Sequence, residues 1–214
     1  MTTPPRLSDS QIQTALSPYG TSPNPSQCDA IRTYIDLLLR WNSRISLTTV
    51  TDPDEILRFH IGESISAIST VPIEKGRLAD VGSGAGFPGV PLTLFLPNLD
   101  VTLIESNAKK ATFLSEVQRQ LNLPRVRVFR GRAEEFLAQG AKFDYVTARA
   151  VGKYEELLLW SAKALNPGGK VILWLGDKDA SEVSTHPGWN WRSPQKIVGS
   201  EKRFLLVGAL SPNP

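Results

Sequence analysis

Asp80, Gly82, Gly84 and Gly86 are the residues whose types and spacing speak most directly of chemistry. They lie in Leu78-Ala-Asp80-Val81-Gly82-Ser83-Gly84-Ala85-Gly86-Phe87-Pro88-Gly89, where a short apolar run ends in a carboxylate and breaks into glycines. Such a run reads as a buried strand feeding a tight turn. Glycine allows positive φ and leaves no Cβ in the way of a ligand, so the turn can form the floor of a nucleotide-like pocket. Pro88 suits the first turn of the helix that follows.

Gly84-x-Gly86-x-x-Gly89 also satisfies the dinucleotide pattern, so two cofactor classes compete for the loop, beside a glycine-rich turn that binds nothing. Asp80 decides between them. A pyrophosphate needs no nearby carboxylate, whereas a cofactor carrying a sulfonium and an ammonium gains from one. The resulting D-x-G-x-G-x-G resembles the first motif of class I S-adenosylmethionine methyltransferases. A second strand, Val101-Thr-Leu-Ile104, ends in Glu105, about twenty residues beyond the loop, where an acid can accept from two ribose hydroxyls. Both NAD and S-adenosylmethionine need such a group. In a third turn, Gly131-Arg132-Ala133-Glu134-Glu135-Phe136, backbone groups and Glu134 can meet an adenine edge, or the acids simply suit a helix amino terminus.

The elements that position these residues follow from texture. Residues 1–25 hold five prolines with many Ser and Thr and are expected to be loosely ordered, apart from a turn of helix near Leu7 to Leu16. Ser26 is expected to cap a helix buried through Ile31, Ile35, Leu38, Leu39 and Ile45, which turns Arg32, Arg40 and Arg44 outward. Asp52, Pro53 and Glu55 form a second start signal, and Ile56, Leu57, Phe59, Ile61, Ile65 and Ile68 supply its buried stripe. Residues 26–70 thus read as a helical unit and 71–214 as the domain that carries the chemistry.

From residue 76 short apolar runs alternate with helical segments, the pattern of an α/β, doubly wound, mainly parallel sheet. Strands are expected near 77–81, 100–104, 125–129, 143–148 and 170–175, with a closing antiparallel hairpin near 195–198 and 203–209. Helices are expected near 88–95, 108–121 and 153–164.

Composition narrows the function. The chain has 214 residues, 41% of them hydrophobic, with no run of membrane-spanning length. Its first residues, Met1 to Arg6, lack the apolar core of a secretory signal, so the cytoplasm is expected. Cys28 is the sole cysteine and His60 and His186 the only histidines, which argues against a metal site and against cysteine-centred chemistry. A net charge of +3 permits nucleic-acid binding without demanding it. Arg125 and Arg127 share one face of a strand, either as a solvated edge or as a phosphate-contacting patch. With Arg32, Arg40, Arg44, Arg149 and Arg203 they are expected to form one electropositive surface around the pocket.

Taken together, several segments resemble the bacterial small-subunit ribosomal RNA guanine-N7 methyltransferase family, RsmG, also known as glucose-inhibited division protein B. The segments are Leu39-Arg-Trp41-Asn42 with Leu47-Thr-Thr, Asp52-Pro53 with His60-Ile-Gly-Glu63-Ser64, the glycine loop, and Glu105-Ser106 with Lys109-Lys110. Arg132-Ala133-Glu134-Glu135-Phe136 and Phe143-Asp-Tyr-Val-Thr-Ala-Arg149-Ala150 complete the match. Two segments depart from it: Trp174-Leu175-Gly176 stands where the family carries a lysine before the glycine, with Lys170 and Lys178 nearby, and Glu201-Lys202-Arg203-Phe204 replaces a histidine-containing segment.

The resemblance implies a class I, Rossmann-like, seven-stranded methyltransferase with an amino-terminal helical extension. It would act as a monomer on small-subunit (16S) ribosomal RNA or on the 30S particle. Cofactor contacts are then expected at Asp80, Gly82, Gly84, Gly86, Phe87, Glu105, Ser106, Ala133, Glu134 and Arg149, with Arg149 also orienting the guanine or its phosphate. His60 reads as a buried helix histidine outside the catalytic set. The rival readings are an NAD-dependent oxidoreductase, for which no Tyr-x-x-x-Lys pair or poised histidine follows the loop, and a non-catalytic RNA-binding module.

Overall fold

The structure, a computed structural model, describes residues 6–211. Helix α1 (Asp9–Leu16) opens with a capping box in which Gln11 N–H donates to Ser8 Oγ at 3.2 Å and Ser8 N–H to Gln11 Oε1 at 2.8 Å. Leu7, Ile12, Leu16 and Tyr19 are buried. The helix expected near Leu7 to Leu16 is thus α1, and the loose order expected of the rest is corrected for residues 17–25, where Tyr19 joins the same buried cluster. Residues 1–5 lie outside the described residues.

Helix α2 (Pro25–Asn42) is capped by Asn24, two residues before the expected Ser26. Pro25 is set for the first helical position, and Asn24 and Gln27 exchange backbone-to-side-chain bonds of 2.9 Å each. Asp52 does cap the next helix, accepting from Glu55 N–H at 2.9 Å. After one turn, α3 (Pro53–Glu55), the chain widens into a π-helical stretch, Ile56–Gly62, before α4 (Glu63–Thr70). The wider turn breaks the 3.6-residue stripe. Ile56, Leu57, Ile61 and Ile65 are fully buried, but Phe59, expected among them, is 40% exposed.

Five parallel strands follow: β1 (Gly76–Val81), β2 (Leu99–Glu105), β3 (Val126–Arg130), β4 (Phe143–Arg149) and β5 (Leu165–Gly176). Helices α5 (Gly89–Phe95), α6 (Ala108–Gln120), α7 (Ala133–Leu137) and α8 (Tyr154–Ala164) connect them. The expected start of β5 at residue 170 moves back to Leu165, which pairs with Phe143 ahead of a bulge. Beyond β5 come α9 (Asp177–Val183) and β6 (Trp189–Trp191), neither anticipated: α9 buries only Ala180 and Val183, and β6 is three residues long.

The two-residue β7 (Gln195–Lys196) pairs with β8 (Arg203–Leu210), which runs antiparallel between β5 and β6. The sheet reads β3-β2-β1-β4-β5-β8-β6, seven strands in continuous order with β7 beside them. Strand order reverses between β1 and β4, and in open α/β sheets ligands bind beyond the carboxyl ends of strands at such a point. The amino-terminal helices share one apolar core with a face of this sheet, from Leu7 and Tyr34 through Leu78 and Leu103 to Trp174 and Val207. The α7, α8 and α9 side chains fill the other face.

Candidate active site at the glycine loop

The loop after β1 contains two kinds of glycine. Gly82 and Gly84 have φ of +70° and +57°, and a Cβ added to either meets nothing closer than 3.5 Å and 3.7 Å, respectively. These two leave a face open to a ligand. At Gly86 a Cβ would come within 2.7 Å of Val90 and 2.8 Å of Tyr34 Oη, and at Gly89 it would collide with Leu103. Those two serve packing, and Gly86 does not line the cavity that opens over Gly82 and Gly84. Tyr34 Oη donates to Ala85 O at 2.6 Å, so α2 ties down the loop directly.

Asp80 lies beneath the loop. Its Oδ2 accepts from Gly89 N–H at 3.2 Å and its Oδ1 from Thr147 O–H at 2.8 Å, and none of the residue reaches the surface. Burial pushes its carboxyl up to about 6 against those bonds. Asp80 thus joins β1, β4 and the start of α5 from beneath the loop. Glu105 is the carboxylate next to the open glycines: Oε2 accepts from Gly84 N–H at 2.8 Å and Oε1 from Asn107 N–H at 2.7 Å. Each oxygen retains a lone pair for a hydroxyl.

A cavity of about 230 Å³ opens over Gly82, Ser83, Gly84, Ala85 and Phe87, with Lys110, Arg149 and Ala150 on its sides and Leu47, Thr48 and His60 from the amino-terminal unit. It therefore gathers Gly82, Gly84, Phe87 and Arg149 of the expected residues. Asp80 and Glu105, beneath and beside the loop, do not line it, and neither do Ser106, Ala133 and Glu134. They continue along the strand ends past Glu105: Ser106 is exposed, Gly131 N–H donates to Glu105 O at 3.1 Å, and the Ala133 carbonyl accepts from Trp160 Nε1 at 2.8 Å. Glu134 is exposed and lines a separate groove with Leu137 and Trp160.

Sequence reasoning set His60 aside and gave Thr48 and Lys110 no role. His60 Nε2 lies 2.7 Å from Thr48 Oγ1 and the ring centroid 4.7 Å from that of Phe87. Burial, reinforced by the Arg149 charge, lowers its imidazole to about 4, so it is neutral at pH 7. The available signal was the Leu47-Thr-Thr and His60-Ile-Gly-Glu63 segments, whose approach to the loop only the fold reveals.

Arg149 ends β4 in a buried pair with Glu63, its Nη2 lying 2.7 Å from Oε2 with side chains 8% and 4% exposed. The same Nη2 donates to Phe59 O at 2.8 Å and Nη1 to His60 O at 3.4 Å. Burial pushes the guanidinium down and the Glu63 carboxyl up, while each favours the other's charged state. These bonds fasten the π-helical stretch to the sheet. Arg149 borders the cavity with Nη2 donating to Phe59 O and Glu63 Oε2, so the residue also supports the wall it lines.

The expected single arginine surface also divides. Arg32 is held by Asp9 and Asp29 at 2.6 and 2.7 Å, Arg125 by Asp100 at 2.8 Å, and Arg127 lies over the Phe136 ring at 5.3 Å. Leu175, where the resembling family has lysine, is buried in the core. Neither Lys170 nor Lys178 lines the cavity or the one beside it, whereas Arg203, paired in register with Gly176, lines the latter.

A glycine loop after β1, a carboxylate ending β2 and this strand order define a class I methyltransferase fold. Precorrin-6y C5,15-methyltransferase from Geobacter metallireducens GS-15 superposes with a TM-score of 0.59 at 15% identity, covering 78% of this chain and 91% of that one. The ribosomal protein L11 methylase from Lactobacillus delbrueckii subsp. bulgaricus gives 0.60 at 15% identity, covering 72% and 79%. At such identity the likeness concerns the fold alone.

The chain belongs to the rRNA small subunit methyltransferase G family, whose profile matches residues 27–197. The ribosomal RNA small subunit methyltransferase G of Xanthomonas axonopodis pv. citri (strain 306) is 41% identical over 178 residues, covering 81% of this chain and 82% of that protein. Its counterpart in Desulfitobacterium hafniense (strain Y51) is 38% identical over 160 residues, covering 73% and 66%.

Proposed function

We propose that the chain transfers a methyl group from S-adenosylmethionine to N7 of a guanine in small-subunit ribosomal RNA. The observation that carries this reading is the cavity itself: the open glycines form its floor, Glu105 holds the Gly84 N–H beside it, and the amino-terminal unit closes it from above. S-adenosylmethionine supplies an electrophilic methyl group on a sulfonium sulfur. Gly82 and Gly84 leave room for it at the backbone, and Glu105 accepts hydrogen bonds from its ribose hydroxyls. The adenine end extends toward Ala133 and Glu134, past Ser106.

Guanine N7 has an in-plane lone pair and no proton, so the chemistry calls for alignment and for tolerance of developing positive charge. The wall residues suit that. His60 is neutral at pH 7, Arg149 is balanced by Glu63, and the Phe87 ring offers an apolar face. Arg149 acts by holding the Phe59 and His60 backbone in place. The chain works as a monomer in this reading.

Calorimetric titration with S-adenosylmethionine and with NAD, followed by transfer of labelled methyl to unmethylated small-subunit ribosomal RNA, tests the proposal. Binding of S-adenosylmethionine alone, with label in the RNA, is the expected result. Binding of NAD would return the rival oxidoreductase, and binding of S-adenosylmethionine without transfer would favour a non-catalytic RNA-binding module.

A further inference from the structure

A second cavity, of about 460 Å³, adjoins the first and shares His60 and Arg149 with it. Its other lining residues are Val50, Phe59, Glu63 and the turn Ser200-Glu201-Lys202-Arg203. Two features distinguish it from a passive depression. Phe59 is a large aromatic side chain left 40% exposed by the π-helical turn, and its backbone is pinned by the 2.8 Å bond from Arg149 to its carbonyl oxygen. An exposed ring on a fixed backbone makes a stacking platform. Lys202 and Arg203 are exposed, and among the described residues no carboxylate lies within 4.0 Å of either charged group. Of the two acids in the lining, Glu63 is neutralised by Arg149 and Glu201 is exposed to solvent.

An aromatic face beside unpartnered cations is the combination that binds single-stranded nucleic acid, the ring taking a base and the cations the backbone. The methyl-transfer geometry calls for such a strand. The major groove of an RNA duplex is too deep and narrow for side chains to reach N7, so the guanine must be splayed out and its neighbour drawn after it. We propose that the second cavity is the subsite for the nucleotide flanking the methylated guanine, with its base on Phe59 and its phosphate at Lys202 and Arg203. This inference rests on the functional reading above. The charge of Arg203 already reaches the site, lowering the proton affinity of both His60 and Arg149.

The test uses the full chain and unmethylated small-subunit ribosomal RNA. Phe59→Ala and Phe59→Leu should each weaken RNA binding about tenfold with the salt slope unchanged, while Phe59→Trp retains wild-type affinity. Arg203→Gln should reduce the salt slope by about one counterion. Affinity for S-adenosylmethionine should stay as in wild type. RNA made abasic at either neighbour of the target guanine should, at one of the two, cost the wild type about the same tenfold and cost Phe59→Ala nothing further. Phe59 variants that bind within twofold of wild type, or losses that add in full, would overturn the subsite alone. A wild-type enzyme that moves no methyl to this RNA would instead overturn the functional reading.

Discussion

At Glu105 both carboxylate oxygens already hold backbone N–H groups, of Gly84 and Asn107, beside the open face of the loop. Glu105→Ala should weaken S-adenosylmethionine binding by about 2–4 kcal/mol, from the hydroxyl contacts and the loosened loop, and equal affinity by calorimetry would remove the ribose role. Arg149 makes a different prediction. Arg149→Ala leaves Glu63 buried and unpaired, so urea denaturation should show a loss of about 3–5 kcal/mol, while Arg149→Met with Glu63→Gln recovers most of it. A loss below about 1 kcal/mol would mean that the pair does not fasten the site. Residue types and spacing brought the glycine loop and Glu105 together because both lie within one βαβ unit. They did not show what surrounds Asp80, which is set by Thr147, 67 positions away on β4.

Among the elements, the π-helical stretch separates expectation from structure. Ile56, Leu57 and Ile61 follow the apolar pattern, but the widened turn exposes Phe59 and carries His60 to the wall of the cavity, which a 3.6-residue period does not foresee. β1 to β4 were readable to within one residue at each end, because buried parallel strands stand out as apolar runs between turns. The two elements facing each other across the loop also set opposed pH responses. Asp80 on β1 rises from 3.8 to about 6, so the folded chain holds its proton more firmly and stability falls as pH rises through that window. His60 falls from 6.5 to about 4, so stability falls as pH drops through that window. Each effect amounts to about 3 kcal/mol, and over pH 4–6 they nearly cancel. His60→Gln should leave stability that declines by about 2–3 kcal/mol from pH 4 to 6, and Asp80→Asn stability that climbs by a similar amount. Parallel chemical-denaturation curves for the two variants would contradict both assignments.

For the molecule as a whole, the amino-terminal helices form part of the core and of the cavity wall. Composition did not disclose this, because proline and serine content says nothing of the helical neighbours, α2 and the π-helical stretch, against which α1 packs. Charge was misread for a related reason. Counting arginines suggests one basic surface, yet Arg32 is held by two carboxylates, and Arg125, just before β3, and Arg127, on it, line neither cavity. Replacing Arg125 and Arg127 together with Ala should therefore leave RNA affinity and its salt slope within error of wild type, and a slope lowered by about two would restore that strand to the interface. The central claim is methylation at guanine N7, and it is tested most directly on the product. Small-subunit ribosomal RNA from cells lacking this protein, incubated with the purified chain and S-adenosylmethionine, can be treated with borohydride and aniline, which cleave the strand at N7-methylated guanine. One new cleavage position, absent without enzyme, is the result expected; methyl incorporation with no new cleavage would place the methyl on another atom and contradict the account.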